Sequence, residues 1–118
     1  MSREIGELKA ELARFSKARE WERFHTPKNL AMAMSVEAAE VVEIFQWLTE
    51  SQARSLGARK KAHLADELAD TYIYLLRLAE CFGIDLVQAA KRKIKKSARK
   101  YPVARSRGLA KKYTELRK

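Results

Sequence analysis

The chain is poor in the residues that break or cross-link a fold. It has one cysteine, two prolines, four glycines and two histidines in 118 residues. A lone Cys81 excludes an internal disulfide, and its apolar helical surroundings read as a buried thiol in a reducing compartment. Two histidines, His25 and His63, with no Cys/His spacing around them, leave no zinc pattern. No Asn-Gly or Asp-Gly pair and no alternating apolar–polar run is present, so strands and hairpins have no signal. No stretch approaches the roughly 18 uncharged residues a membrane-spanning helix needs. Met1-Ser2-Arg3-Glu4 opens without an apolar signal region, so a cytoplasmic protein is expected.

What remains is helical. Hydrophobic residues make up 47% and charged residues 34%, which suits one folded domain and excludes a disordered chain. The first helix is expected from about Glu4 to Trp21, with Leu8, Leu12 and Phe15 as its apolar stripe. Thr26-Pro27 reads as an N-cap followed by proline at the first helical position. The second helix then runs to about Glu50, and Ser51–Arg59 is a loop. A third helix spans about Lys60 to Phe82 and stops at Gly83. Asp85 with Gln88 resembles a capping box that opens a fourth, which ends before Pro102. Four helices with short connections imply an all-α four-helix bundle, with a helical domain over 1–103 and a basic tail over 104–118. The net charge of +10 comes from one end. Residues 1–90 carry 12 Lys/Arg against 14 Asp/Glu, whereas residues 91–118 carry 13 Lys/Arg and only Glu115. Such a block is a solvated face or an attractor of phosphate, on a nucleotide or a nucleic acid.

The acids of the middle helices fall in unexpected places. At about 100° per residue, Glu37 lies among Leu30, Ala33, Val41, Ile44 and Leu48, and Glu40 among Ala33, Val36, Ile44 and Trp47. Both carboxylates sit inside the apolar stripe, where an unpaired charge is costly. The third helix repeats the arrangement: Glu67 and Asp70 are three apart and so share a face, with Tyr74 two turns beyond Glu67, as Trp47 is beyond Glu40. Packed antiparallel, the two helices would bring four carboxylates together, which repel unless a cation joins them. An all-oxygen set favours Mg²⁺ or Mn²⁺. Spacing alone leaves a second reading open, in which these acids are solvated or paired with lysines. A di-iron bundle would need Glu-x-x-His motifs, and there are none.

At these residues the sequence resembles the MazG-like all-α nucleoside triphosphate pyrophosphohydrolases, and most closely their dCTP pyrophosphatase branch. The resemblance rests on Glu37-x-x-Glu40 and Glu67-x-x-Asp70, on Arg19-Glu20-Trp21-Glu22-Arg23-Phe24-His25-Thr26-Pro27-Lys28-Asn29-Leu30, on Glu43-Ile44-Phe45-Gln46-Trp47, on Thr71-Tyr72-Ile73-Tyr74-Leu75, and on Lys100-Tyr101-Pro102 with Lys112-Tyr113-Thr114-Glu115-Leu116. It covers about residues 5–116 in order.

The resemblance implies a Mg²⁺-dependent enzyme, with Mn²⁺ an alternative ion, that splits a nucleoside triphosphate into monophosphate and pyrophosphate. The implied substrate is dCTP or a 5-modified dCTP, and the implied role is nucleotide-pool sanitation. Glu37, Glu40, Glu67 and Asp70 become the metal ligands and catalytic acids; one of the four would accept the water's proton, Glu40 being the first candidate. Trp21, Glu22, Arg23, Phe24, His25, Trp47 and Tyr74 become the substrate pocket, and Lys93 a phosphate contact from the fourth helix or a neighbouring subunit. The resemblance also implies a homo-oligomer, a tetramer ahead of a dimer. Two departures bear on the base: Leu12 stands where vertebrate members carry a base-holding histidine, and Ser97 where many carry asparagine. The competing expectation is a basic helical module that binds nucleic acid or a protein without turnover. It leaves the four acids on apolar faces unexplained, so neither nucleic acid nor membrane is the expected partner.

Overall fold

The structure, a computed structural model, describes residues 2–116. Met1 of the opening tetrapeptide and Arg117 and Lys118 of the basic tail lie outside the described residues. Among the described residues the regular structure is entirely helical: α1 (Arg3–Ala18), α2 (Pro27–Phe45), α3 (Glu50–Arg54), α4 (Ala58–Cys81), α5 (Leu86–Lys100) and α6 (Val103–Ser106), with 3₁₀ turns at Glu22–Phe24 and Tyr113–Leu116. No described helix is long and apolar enough to cross a membrane. The chain divides into two compact units, Met1–Ile84 and Asp85–Lys118.

In the first unit α2 and α4 form the main packed pair. They run antiparallel: Leu30 near the start of α2 shares a small cavity with Arg77 and Cys81 near the end of α4, while Glu37 lies beside Glu67 and Asp70. Leu30, Leu76 and Ala79 are the buried apolar residues of this unit. The second unit holds α5, which carries the cations Lys91, Arg92, Lys93, Lys95, Lys96, Arg99 and Lys100 and exposes Ile94.

The helix ends follow local chemistry. Thr26 Oγ1 accepts from the Asn29 N–H at 3.4 Å, with Pro27 in the first helical position. Asp85 caps α5 by accepting from the Gln88 N–H at 3.1 Å, and α5 stops at Lys100, two residues before Pro102. α4 ends in a Schellman motif, in which Ile84 N–H donates to Ala79 O at 3.0 Å and Gly83 N–H to Glu80 O at 3.2 Å, with Gly83 at φ 63°.

Three expectations need correction. α1 stops at Ala18, not Trp21, because its end is the same motif: Trp21 N–H donates to Ser16 O and Glu20 N–H to Lys17 O, with Glu20 at φ 54°. α2 stops at Phe45, and Ser51–Arg59 is no plain loop. Thr49 and Gln52 form a reciprocal capping box that starts α3, and the extended backbone at Thr49 cannot continue α2. Cys81 is exposed, not buried. It lies two positions past the buried Ala79, about 200° round the helix.

At Gly83 an added Cβ would meet nothing within 4 Å, so only the left-handed backbone opposes a side chain there. Gly83→Ala is expected to lower unfolding stability by about 1 kcal/mol in urea titration, with no change in helical content.

Candidate active site: a carboxylate seam beside an aromatic cavity

α2 and α4 place their acids in the seam between them because Glu37 and Glu67 share the inward stripes with apolar neighbours. Oxygens of Glu37, Glu67 and Asp70 lie within 4.8 Å of one another. Glu40, one turn along α2, is not part of that triad but shares hydrogen bonds with both Glu37 and Glu67. Glu37 Oε2 and Glu67 Oε2 are buried without a hydrogen-bond partner. Carboxylates cannot donate to one another once ionised, so the cluster must hold protons or a cation.

The titration behaviour follows from this crowding. Burial pushes Glu37 up to about 7, helped by its hydrogen bonds to Glu40 and Glu67 and by the charges of Glu40 and Asp70. Glu67 is also raised, first by its hydrogen bond with Glu40 and then by burial. Glu40 goes the other way, because Glu67 and Glu37 act as donors that hold it ionised. His63, one turn before Glu67, sets Nε2 3.4 Å from Glu67 Oε1 at the exposed rim. The all-oxygen donor set, with two orphaned buried oxygens, fits a hard divalent cation such as Mg²⁺.

Next to this seam is a cavity of about 350 Å³, lined by Leu12, Phe15 and Ser16 of α1, by Trp21 and His25 of the connection, and by Asp70, Ile73, Tyr74 and Arg77 of α4. Asp70 therefore belongs to both the acid triad and the cavity wall. The aromatic side is built by the turn after α1, which swings Trp21 back to meet Phe15 edge-on at 5.6 Å and brings it within 6.5 Å of the His25 ring. Asn29 fixes the connection from α2 by donating to Phe24 O at 3.1 Å. His25 titrates below its usual range, first because it is buried and second because Arg77 is nearby, so the ring is neutral at pH 7.

Of the residues singled out by sequence, the structure brings Glu37, Glu40, Glu67 and Asp70 together, and separately Trp21, His25 and Tyr74 with Asp70. Glu22, Arg23 and Phe24 form the 3₁₀ turn and are exposed, with the Arg23 guanidinium 5.0 Å from the Phe24 ring. Trp47 is not on α2 as expected. It follows the end of that helix, is 86% exposed, and does not line the cavity. Lys93 is exposed on α5 in the second unit. Phe15, Ser16, Ile73 and Arg77 line the cavity without having been singled out for it. Arg77 had a readable signal, since it lies seven residues after Asp70 and three after Tyr74, on the same helical face.

The pH dependence of cation binding follows from Glu37. Its folded pKa, about 7, lies above the ordinary 4.5, so the cation-free fold holds a proton between these values that the unfolded chain releases. Stability of the cation-free protein therefore loses this contribution as pH rises from about 4.5 to 7. A divalent cation held by these acids would have to displace the proton below pH 7, so the affinity for Mg²⁺ is expected to fall about tenfold per pH unit well below that point. Calorimetric Mg²⁺ titrations at pH 8 and pH 6, with the Tm gain on adding Mg²⁺ larger at pH 8, would check this.

The MazG-like family model matches residues 32–116. The dCTP pyrophosphatase 1 of Bos taurus is 42% identical over 106 residues, which are 88% of this chain and 63% of that protein. The dCTP pyrophosphatase 1 of Homo sapiens is 41% identical over 106 residues, 88% of this chain and 62% of that protein. This chain thus spans less than two thirds of the length of the curated relatives it matches. A crystal structure of a pyrophosphatase from Archaeoglobus fulgidus superposes with a TM-score of 0.80 at 41% identity, over 86% of this chain and 95% of that one. With a family model over most of its length and relatives at this identity, the chain belongs to the MazG-like family.

Proposed function

We propose that the protein is a Mg²⁺-dependent nucleoside triphosphate pyrophosphohydrolase that cleaves dCTP or a 5-modified dCTP to monophosphate and pyrophosphate. The observation that carries this is the shared wall: Asp70 joins an acid triad suited to a hard cation to an aromatic cavity of about 350 Å³. A triphosphate held at the acids would extend its base into that cavity. The names of the curated relatives and of the archaeal structure, dCTP pyrophosphatase 1 and pyrophosphatase, support the reaction and the base.

In this reading Glu37, Glu67 and Asp70 hold the ion, with Glu40 completing or flanking the set. Bound Mg²⁺ would neutralise phosphate charge and lower the pKa of the attacking water. Glu40, beside the ligands and ionised next to the cation, would take the water's proton as the bond between the α and β phosphates breaks. Trp21 and Tyr74 flank the base, and the neutral His25 gives the cavity a polar group without a competing charge. Glu22, Arg23 and Phe24 border the entry, and Lys93 with Trp47 contributes from α5 and from the turn after α2 once the assembly forms. The four-helix bundle, the division into a catalytic domain over 1–103 and a tail over 104–118, a homotetramer ahead of a dimer, and a cytoplasmic setting belong to the same proposal. Large apolar side chains left exposed on α2 and α4, among them Met32, Val36, Leu68 and Tyr72, support the assembly.

Product analysis tests the reaction. Protein with Mg²⁺ is given canonical and 5-substituted deoxynucleoside triphosphates, and pyrophosphate is separated from orthophosphate. Monophosphate plus pyrophosphate, abolished by chelation, is expected. No hydrolysis with Mg²⁺ or Mn²⁺ would overturn the proposal in favour of a basic binding module. Glu40→Gln and Asp70→Asn are each expected to lower kcat by about a hundredfold or more with unchanged helical circular dichroism. Full activity in either variant would sink the acid site.

A further inference from the structure

The wall of the cavity changes character along α4. At one end Asp70 belongs to the acid triad; two turns on, about 10 Å at 1.5 Å per residue, is Arg77. Arg77 is the one Lys or Arg side chain among the described residues that line this cavity. Its side chain is only 13% exposed, and its ion pair with Glu80 is long, 3.9 Å. A guanidinium carries five N–H donors in a rigid fork, and a single distant carboxylate leaves much of that capacity unused. His25 and Arg77 both line this cavity and a smaller one of about 220 Å³, and the charge of Arg77 is felt at His25. On the α1 wall Leu12 and Phe15 offer neither donor nor acceptor.

This polarity orients a nucleotide. Phosphates belong at the cation held by the acids, so the far end of the cavity receives the edge of the base, away from the phosphates. A buried fork of donors there demands a pair of adjacent acceptors. Cytosine presents such a pair, O2 and N3. Uracil and thymine carry a proton on N3, which would face another donor. Size does not separate cytosine from uracil, so the discrimination must come from this edge.

Resting on the nucleotide reading of the cavity given above, we propose that Arg77 is the specificity-determining residue for the base, donating from its guanidinium to O2 and N3 of cytosine and thereby rejecting uracil and thymine.

The test compares binding of the non-hydrolysable α,β-imido analogues of dCTP and dUTP, each with Mg²⁺, by calorimetry. The wild-type protein is expected to prefer the dCTP analogue. Arg77→Met is expected to cut the dCTP:dUTP affinity ratio about tenfold to a hundredfold, the worth of one good two-pronged contact. Arg77→Lys, which keeps the charge but not the fork, preserves the fold if Arg77→Met does not, and is expected to lose most of the ratio while retaining affinity for both analogues. Glu80→Gln removes the ion pair without touching the main cavity and is expected to leave the ratio unchanged. The proposal is overturned if the wild type shows no preference, if Arg77→Lys and a folded Arg77→Met keep the full ratio, or if Glu80→Gln reproduces their loss. Selective binding without any hydrolysis would refute the enzymatic reading and leave Arg77 as the base reader. Hydrolysis with a base preference indifferent to Arg77 would refute only the role of Arg77.

Discussion

The structure turns on the placing of carboxylates in the seam where α2 packs against α4. Helix pairs close by burying apolar stripes, and here the stripes carry Glu37, Glu40 and Glu67, with Asp70 at the edge. Their mutual repulsion opposes the packing that brings them together. The cluster responds by sharing hydrogen bonds, keeping Glu40 charged and pushing Glu37 up to about 7. Two buried oxygens still lack a donor. A site of this kind stores a demand for positive charge in the frame of the fold, which a hard divalent cation would meet.

The cavity depends on that same frame but is built from a different part of the chain. Its acid end comes from α4 through Asp70, and its aromatic side from the abrupt end of α1. Glu20 adopts a left-handed conformation that a non-glycine residue takes at some cost, and the turn it makes carries Trp21 back over Phe15. Thr26 and Asn29 then hold the connection at the start of α2, which keeps His25 against the cavity. The result is a cavity walled by Asp70 and Arg77, two turns apart on α4, together with apolar and aromatic side chains.

Much of this was readable because helices have strong local signatures. The caps at Thr26 and Asp85 and the stops at Gly83 and before Pro102 needed only their own residue types. The acids stood out since a 3.6-residue period put them among leucines and valines. Periodicity failed where a local motif ended one helix and started another. Thr49 and Gln52 cap α3, so α2 closes at Phe45, and Trp47 leaves the face on which a continuous helix would have put it. Cys81 looked apolar by its neighbours in sequence, yet the last turn of α4 sets it away from Ala79 and toward the surface.

The sequence by itself determined the helical class, the family resemblance and the carboxylate pairs, because each is written in spacings of three, four or seven residues. Tertiary structure decided which of those pairs meet, since the distance between Glu37 and Asp70 depends on how two helices pack and not on either helix alone. It also decided that Phe15, Ser16 and Arg77, separated by some sixty residues, share one cavity. A side chain's role as wall, ligand or surface is set by what lies opposite it, and only the packed chain specifies the opposite side.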